Sequence, residues 1–137
     1  MKALIPSLVF MLVLTASCGD KQHHELLVEA ESFREKGGWL VDPQFTEQMG
    51  SAYLLAHGLG NPVENASTIV TIPASGKYHV WVRTRNWAKG NWEAPGRFKL
   101  LINGNEFESI LGTEEETWHW QYAGKVTLKD PAMKIEL

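Results

Sequence analysis

The chain is 137 residues long, 44% hydrophobic, and carries a formal net charge of −3. That length suits one domain around one core, and the apolar share is too high for a chain that stays unfolded. The acidic balance removes the electrostatic basis for binding nucleic acid, which rests on neutralising phosphates, and a lone cysteine, Cys18, leaves no internal disulfide to form.

Residues 3–14 are apolar apart from Ser7 and are interrupted by Pro6. The run is shorter than the ~20 apolar residues that span a bilayer, and it has the length of a secretory signal's hydrophobic region. Thr15-Ala16-Ser17-Cys18 follows and resembles a bacterial lipobox, with Thr15 standing where leucine is usual and Leu14 one place early. The resemblance implies cleavage before Cys18, lipidation of Cys18, and export to the bacterial outer membrane, with the membrane reached through the lipid anchor only. The other reading, ordinary cleavage near Ala16 or Ser17, also exports the chain. Residues 1–17 are thus read as a signal peptide and residues 18–25 as a polar tether in which His23 and His24 are solvated.

Residues 26–31, LLVEAE, set Leu26, Val28 and Ala30 on one parity and Leu27, Glu29 and Glu31 on the other, the pattern of a half-buried strand. Residues 32–38 read as a loop closed by two glycines, and residues 39–41 as a short strand broken by Asp42-Pro43. Residues 44–49 fit one helical turn, residues 53–56 a short apolar run, and residues 57–62, HGLGNP, a cluster of turns. Residues 67–72, STIVTI, are rich in β-branched side chains and end at Pro73, which predicts a strand.

Residues 76–98, GKYHVWVRTRNWAKGNWEAPGRF, are the centre of the chain. Tyr78, Val80, Val82 and Thr84 alternate with His79, Trp81, Arg83 and Arg85, the period of a strand with two unlike faces. Tyr78, Val80 and Val82 are expected to face inward. The strand runs into a loop that carries Trp87 and Trp92. Another strand is expected over residues 97–102, then a hairpin at Asn103-Gly104 with a return over residues 106–110. Residues 113–117, TEEET, read as a solvated acidic turn. Trp118, Trp120 and Tyr122 share one parity of the next alternating run, residues 125–128 form a short strand, and residues 132–137 begin a last one. Trp81, Trp118 and Trp120 are expected to be packing residues because they lie within strands, while Trp39 stays open.

Roughly eight to ten short strands without a long amphipathic helix predict an all-β fold, a two-sheet antiparallel β-sandwich over residues 26–137. A strand that stops at Ile135-Glu136-Leu137 without a polar tail reads as a truncated module with its last strand or strands missing.

Residues 28–33, VEAESF, followed by GKYHVWVRTRNW, resemble galactose-binding-like jelly-roll carbohydrate-binding modules. Together with PGRFKLLING and WHWQYAGKV, they look like the N-terminal module of exported Bacteroidetes proteins, among them FAD-dependent oxidoreductases and polysaccharide-processing proteins. The resemblance implies a non-catalytic module attached to a larger C-terminal catalytic region. No GxGxxG is present for a nucleotide-binding unit, and Ser51, Ser67, Ser75 and Ser109 sit in no GxSxG setting.

Two constellations remain. On a strand, Glu29 and Glu31 would lie ~6.5–7 Å apart on one side, a repulsion that a cation relieves. In the modules this chain resembles, the matching EAE glutamates hold a structural calcium; the other reading is an exposed acidic face. A glycosidase pair lacks a cleft around it. The second constellation is Trp87 and Trp92 with Arg85, Asn86 and Asn91. Aromatic rings pack on the C–H faces of sugars, and the polar groups serve the hydroxyls. Three readings are open there: glycan contact, docking on a neighbouring domain, and tryptophans folded back as core or loop anchors. The leading function is a non-catalytic, exported carbohydrate-binding module from a larger polysaccharide-processing protein. The alternative is the accessory N-terminal domain of an exported FAD-dependent oxidoreductase or hydrolase, packing on the catalytic domain without binding sugar.

Metabolic labelling with palmitate in a bacterial host checks the first of these readings: the native chain takes up label and the Cys18→Ala variant does not.

Overall fold

The computed structural model of the chain describes residues 23–58, 60–90 and 93–137. The readings placed on the signal segment, on Cys18 and on Asn91 and Trp92 lie outside those residues. Strand accounts for 39% of the described residues with almost no helix, which makes the described protein mostly β, and its sheets are antiparallel. Among the described residues no helix is long and apolar enough to cross a membrane.

The elements follow the turn chemistry closely. After β1 (Trp39–Asp42) comes one four-residue helix, α1 (Thr46–Met49), closed by Gly50 at φ 85°. β2 (Tyr53–Ala56) pairs back on β1, and β3 (Ser67–Thr71) ends just ahead of Pro73. β4 (Gly76–Thr84) is the central strand expected from its alternation. β5 (Leu101–Ile102) and β6 (Asn105–Glu106) flank Asn103-Gly104, whose φ values of 51° and 76° are the two left-handed positions of a type I′ hairpin. β7 (His119–Leu128) and β8 (Ala132–Glu136) complete the chain.

One expected strand is absent. Residues 26–29 are irregular, and Ala30–Ser32 form a 3-10 turn. Ser32 supplies the reason: its N–H and its hydroxyl both donate to the Glu29 carbonyl, at 3.0 and 2.6 Å, so the backbone is committed to a local turn instead of a ladder. The turn seats Phe33 at 4% exposure in the core, with Val28 and Ala30 packed against it.

The strands form three sheets: β1-β2, β3-β8-β5-β6, and β4-β7. β8, the strand with which the sequence stops, is an interior strand hydrogen-bonded to both β3 and β5. One apolar cluster draws on all three sheets. Ile102, Met133 and Ile135 enter from the four-stranded sheet, Ala123 and Leu128 from β7, Trp39 from β1, and Tyr78, Val80 and Val82 of β4 pack against them as their alternation predicts. Leu111 lies at its centre, fully buried, and its backbone exchanges both hydrogen bonds with Phe98.

β7 merges two segments that read separately in the sequence. The register runs Val80↔Gly124 and then Trp81↔Tyr122, which leaves Ala123 as an extra residue in a β-bulge. Before the bulge, Gln121 and Ala123 point inward; beyond it, Val126 and Leu128 do. The bulge therefore lets two alternations of opposite parity share one strand. Without it, Lys125 would enter the core and Val126 and Leu128 would leave it. Gly124 makes this possible. Its φ is 147°, and a Cβ there would stand 2.8 Å from the Phe107 ring. Gly124→Ala is expected to lower stability by about 1–3 kcal/mol through backbone strain and overpacking, measured as a reduced urea midpoint with an unchanged slope.

Candidate functional site

Two surfaces gather the residues with chemical potential, and β4 builds both. The first lies where β4 leaves its sheet. Arg83 donates from its two terminal nitrogens to the Gln48 and Met49 carbonyls, both at 3.1 Å, and so ties the exposed end of α1 to the strand. That docking carries Phe45 over Arg85, whose guanidinium carbon lies 4.4 Å from the Phe45 ring centroid and 5.0 Å from that of Trp87. Phe45 and Trp87 meet edge-on at 5.4 Å, and the stack continues through Tyr53 to Trp118, 4.8 Å beyond. A cation held between two rings gains about 0.5–1 kcal/mol per contact where it is partly exposed.

The loop residues singled out in the sequence therefore have distinct settings. Arg85 holds its charge against two rings. Asn86 is buried: its amide donates to the Thr113 carbonyl at 3.1 Å, its N–H donates to the Glu115 carbonyl at 2.7 Å, and its side-chain oxygen accepts from the Ala88 N–H at 3.3 Å. Trp87 keeps 45% exposure. An open depression of about 340 Å³ lies beside them, walled by Asn86, Lys89, Glu93, Arg97, Thr113 and Glu114, with Arg97 and Glu93 ion-paired.

The second surface is the outer face of the β4-β7 sheet. The alternation that sends Tyr78, Val80 and Val82 inward sends His79, Trp81 and Arg83 outward, opposite Lys125, Tyr122 and Trp120. Trp81 is 54% exposed and Trp120 53%, which corrects their expected role as packing residues. The physical reason is coverage: α1 docks on this parity at Arg83, and among the described residues Trp81 and Trp120 are left exposed beside it. Trp118 precedes the strand and does pack, on Tyr53. The Trp81 and Tyr122 rings are 4.8 Å apart, tilted by 50°, and the Tyr122 hydroxyl and His79 Nδ1 share a hydrogen bond at 3.1 Å. A row of exposed rings this size on one sheet face is a feature that monomeric surfaces rarely carry without use.

A buried amide holds one end of this sheet in place. Gln121, on the inward side, accepts from the Thr84 hydroxyl at 3.2 Å and the Gly112 N–H at 3.1 Å, and donates to the Ile110 carbonyl at 2.9 Å and Glu114 at 3.0 Å. All four of its hydrogen-bonding positions are used, so it fastens the loop ahead of β7 to both strands.

The acidic pair has no strand to share. Glu29 precedes the 3-10 turn and is exposed, whereas Glu31 lies within it and is half-buried. In a turn of three residues per revolution, positions two apart diverge by about 120°. Among the described residues no group of three or more histidine, cysteine or carboxylate side chains gathers closely enough to hold a metal ion.

Tyr53 is 5% exposed. Its pKa is raised above the usual tyrosine value, first by burial and then by Asp42, its cross-strand neighbour, through its negative charge and a side-chain hydrogen bond, against a smaller opposing effect of Arg85. The protonated phenol is therefore favoured in the folded state. Stability from this source is fully present below pH ~10 and falls as pH rises from there through the raised pKa. Tyr53→Phe is expected to flatten that alkaline loss while costing about 1 kcal/mol or less at pH 7; urea unfolding across pH 7–11 reads both.

Comparison with family models, curated proteins and solved structures finds no match to this chain.

Proposed function

We propose that the chain is a non-catalytic carbohydrate-binding module, exported and lipid-anchored, built as a two-sheet antiparallel β-sandwich of the jelly-roll, galactose-binding-like kind, and that glycan lies along the outer face of β4 and β7. The observation that carries the reading is the exposed row of Trp81, Tyr122 and Trp120. Flat aromatic rings accept the C–H faces of sugar rings, and the polar ends of Tyr122 and His79 lie beside them to meet hydroxyls. The sandwich reading rests on the shared cluster into which the four-stranded sheet and β4-β7 send their inward side chains. The loop at Trp87 enters as a rim of the site rather than its floor, because the Arg85 guanidinium is held against the Phe45 and Trp87 rings and the Asn86 amide is hydrogen-bonded within the protein.

A second reading, an accessory domain that packs on a catalytic partner, draws on a different observation. β4 and β7 each keep one edge without a strand partner among the described residues, and Leu40 and Ile69 are exposed on other faces.

Affinity electrophoresis and calorimetry of the full chain against a panel of polysaccharides separate the two. Under the carbohydrate reading at least one polysaccharide binds, Trp81→Ala and Trp120→Ala each weaken it by about tenfold or more, and Trp87→Ala has a smaller effect. No binding across the panel, or unchanged binding in the Trp81 and Trp120 variants with their melting temperatures intact, would sink it.

A further inference from the structure

The strip that carries the aromatic row is also cationic. Neither β4 nor β7 contains an aspartate or glutamate, although the chain as a whole is acidic. The outward rows read Lys77 beside Thr127, His79 beside Lys125, Trp81 beside Tyr122, and Arg83 beside Trp120. At the strand rise the four rows extend over roughly 20 Å. Among the described residues Lys77, Lys125 and Arg83 take part in no ion pair, and Arg83 meets only backbone carbonyls. Carboxylates of the neighbouring segments lie off the two strands: Glu47 in α1, which docks on Arg83, Glu114, Glu115 and Glu116 in the loop ahead of β7, and Asp130 in the turn beyond. At the Lys77 end, an open depression of about 210 Å³ is walled by His23, His24, Ser75, Gly76, Lys77 and Tyr78, again without a carboxylate.

Resting on the carbohydrate reading above, we infer that the ligand is an acidic polysaccharide, a polyuronate, laid along the strands. Its ring faces stack on the Trp81–Tyr122 and Trp120 rows, and its carboxylates meet Lys125, Lys77 and the histidines of the depression. Charge complementarity selects an anion. The charge density selects among anions: three formal cations spread along roughly 20 Å match one carboxylate per sugar better than the dense charge of a sulfated polymer or a nucleic-acid strand. A uronate carboxylate also projects from the ring's edge and leaves the C–H faces free to stack. A neutral glucan would use the aromatic rows and leave the lysines without partners.

The test measures the full chain by calorimetry and affinity electrophoresis against polygalacturonate, mannuronate–guluronate polymers, their carboxyl-reduced counterparts, neutral glucans and mannans, a sulfated glycan, and single-stranded DNA. The expected result is that one of the polyuronates binds best and that carboxyl reduction weakens it by about tenfold or more. The Lys77→Gln, Lys125→Gln double variant, with an unchanged melting temperature, loses the preference for the acidic form while keeping residual binding through Trp81. If a neutral polymer binds as well as any polyuronate, or if the double variant keeps its preference, the inference is overturned and the carbohydrate reading survives. If the sulfated glycan or DNA binds as tightly as the best polyuronate, the strip is a general polyanion surface and the inference is likewise overturned. If no glycan binds, the carbohydrate reading fails and takes this inference with it.

Discussion

The pairing of β4 with β7, and the bulge inside it, is the constraint on which the rest of the molecule depends. These are the two longest strands, and they run antiparallel over their whole length. Every side chain of the pair is assigned to a face by the pleat, so one inserted residue decides which half of β7 feeds the core. With Ala123 bulged, Gln121 and Ala123 on one side and Val126 and Leu128 on the other all reach the interior, and Lys125 reaches solvent. Gly124 tolerates both the backbone angle and the approach of Phe107. The hydrophobic cluster and the exposed face are then two consequences of one registration.

Polar groups fix what the pleat leaves free. Gln121 gathers Thr84, Gly112, Ile110 and Glu114 around one buried amide, and Asn86 holds the Thr113 and Glu115 carbonyls. Each buried donor met in this way avoids a desolvation penalty of about 1–3 kcal/mol. Together they join the loop after β4 to the loop before β7, the two connections that frame one end of the sheet. Arg83 and Arg85 then recruit the 43–50 segment, one through carbonyls and the other through the Phe45 and Trp87 rings. Two adjacent outward arginines are thus consumed in architecture, which leaves Lys77 and Lys125 as the cations of the strip whose charge meets no protein acceptor in the described structure.

Large parts of the fold were legible because they rest on local chemistry. The β-branched run before Pro73, the left-handed Asn103-Gly104 pair and the strict alternation of β4 each dictate geometry within a few residues, and each forms where expected. Where the sequence misled, a neighbour competed. The LLVEAE alternation looks like a strand, but Ser32 offers its carbonyl partner a tighter local bond. Trp81 and Trp120 look like packing residues because large apolar side chains are usually covered, yet alternation already set Trp81 opposite the inward side chains of β4, and the pairing of Trp120 with Arg83 puts Trp120 on the same outer face.

The sequence by itself determined a mostly β chain, the faces of β4 and the position of the tight hairpin, because strand period and turn preference are encoded within a few residues. Only the tertiary structure decided that two short segments join across a bulge into β7, that Arg85 holds its guanidinium against two rings while Asn86 turns its amide onto the protein, and that Trp81, Tyr122 and Trp120 stay exposed on the outer face of the β4-β7 sheet among the described residues. Those outcomes depend on which distant elements arrive to cover a surface: Phe45 from forty residues upstream of Arg85, and the loop carrying Thr113 from downstream. Alternation reveals that a strand has two faces; packing against the rest of the chain settles which of them is left exposed.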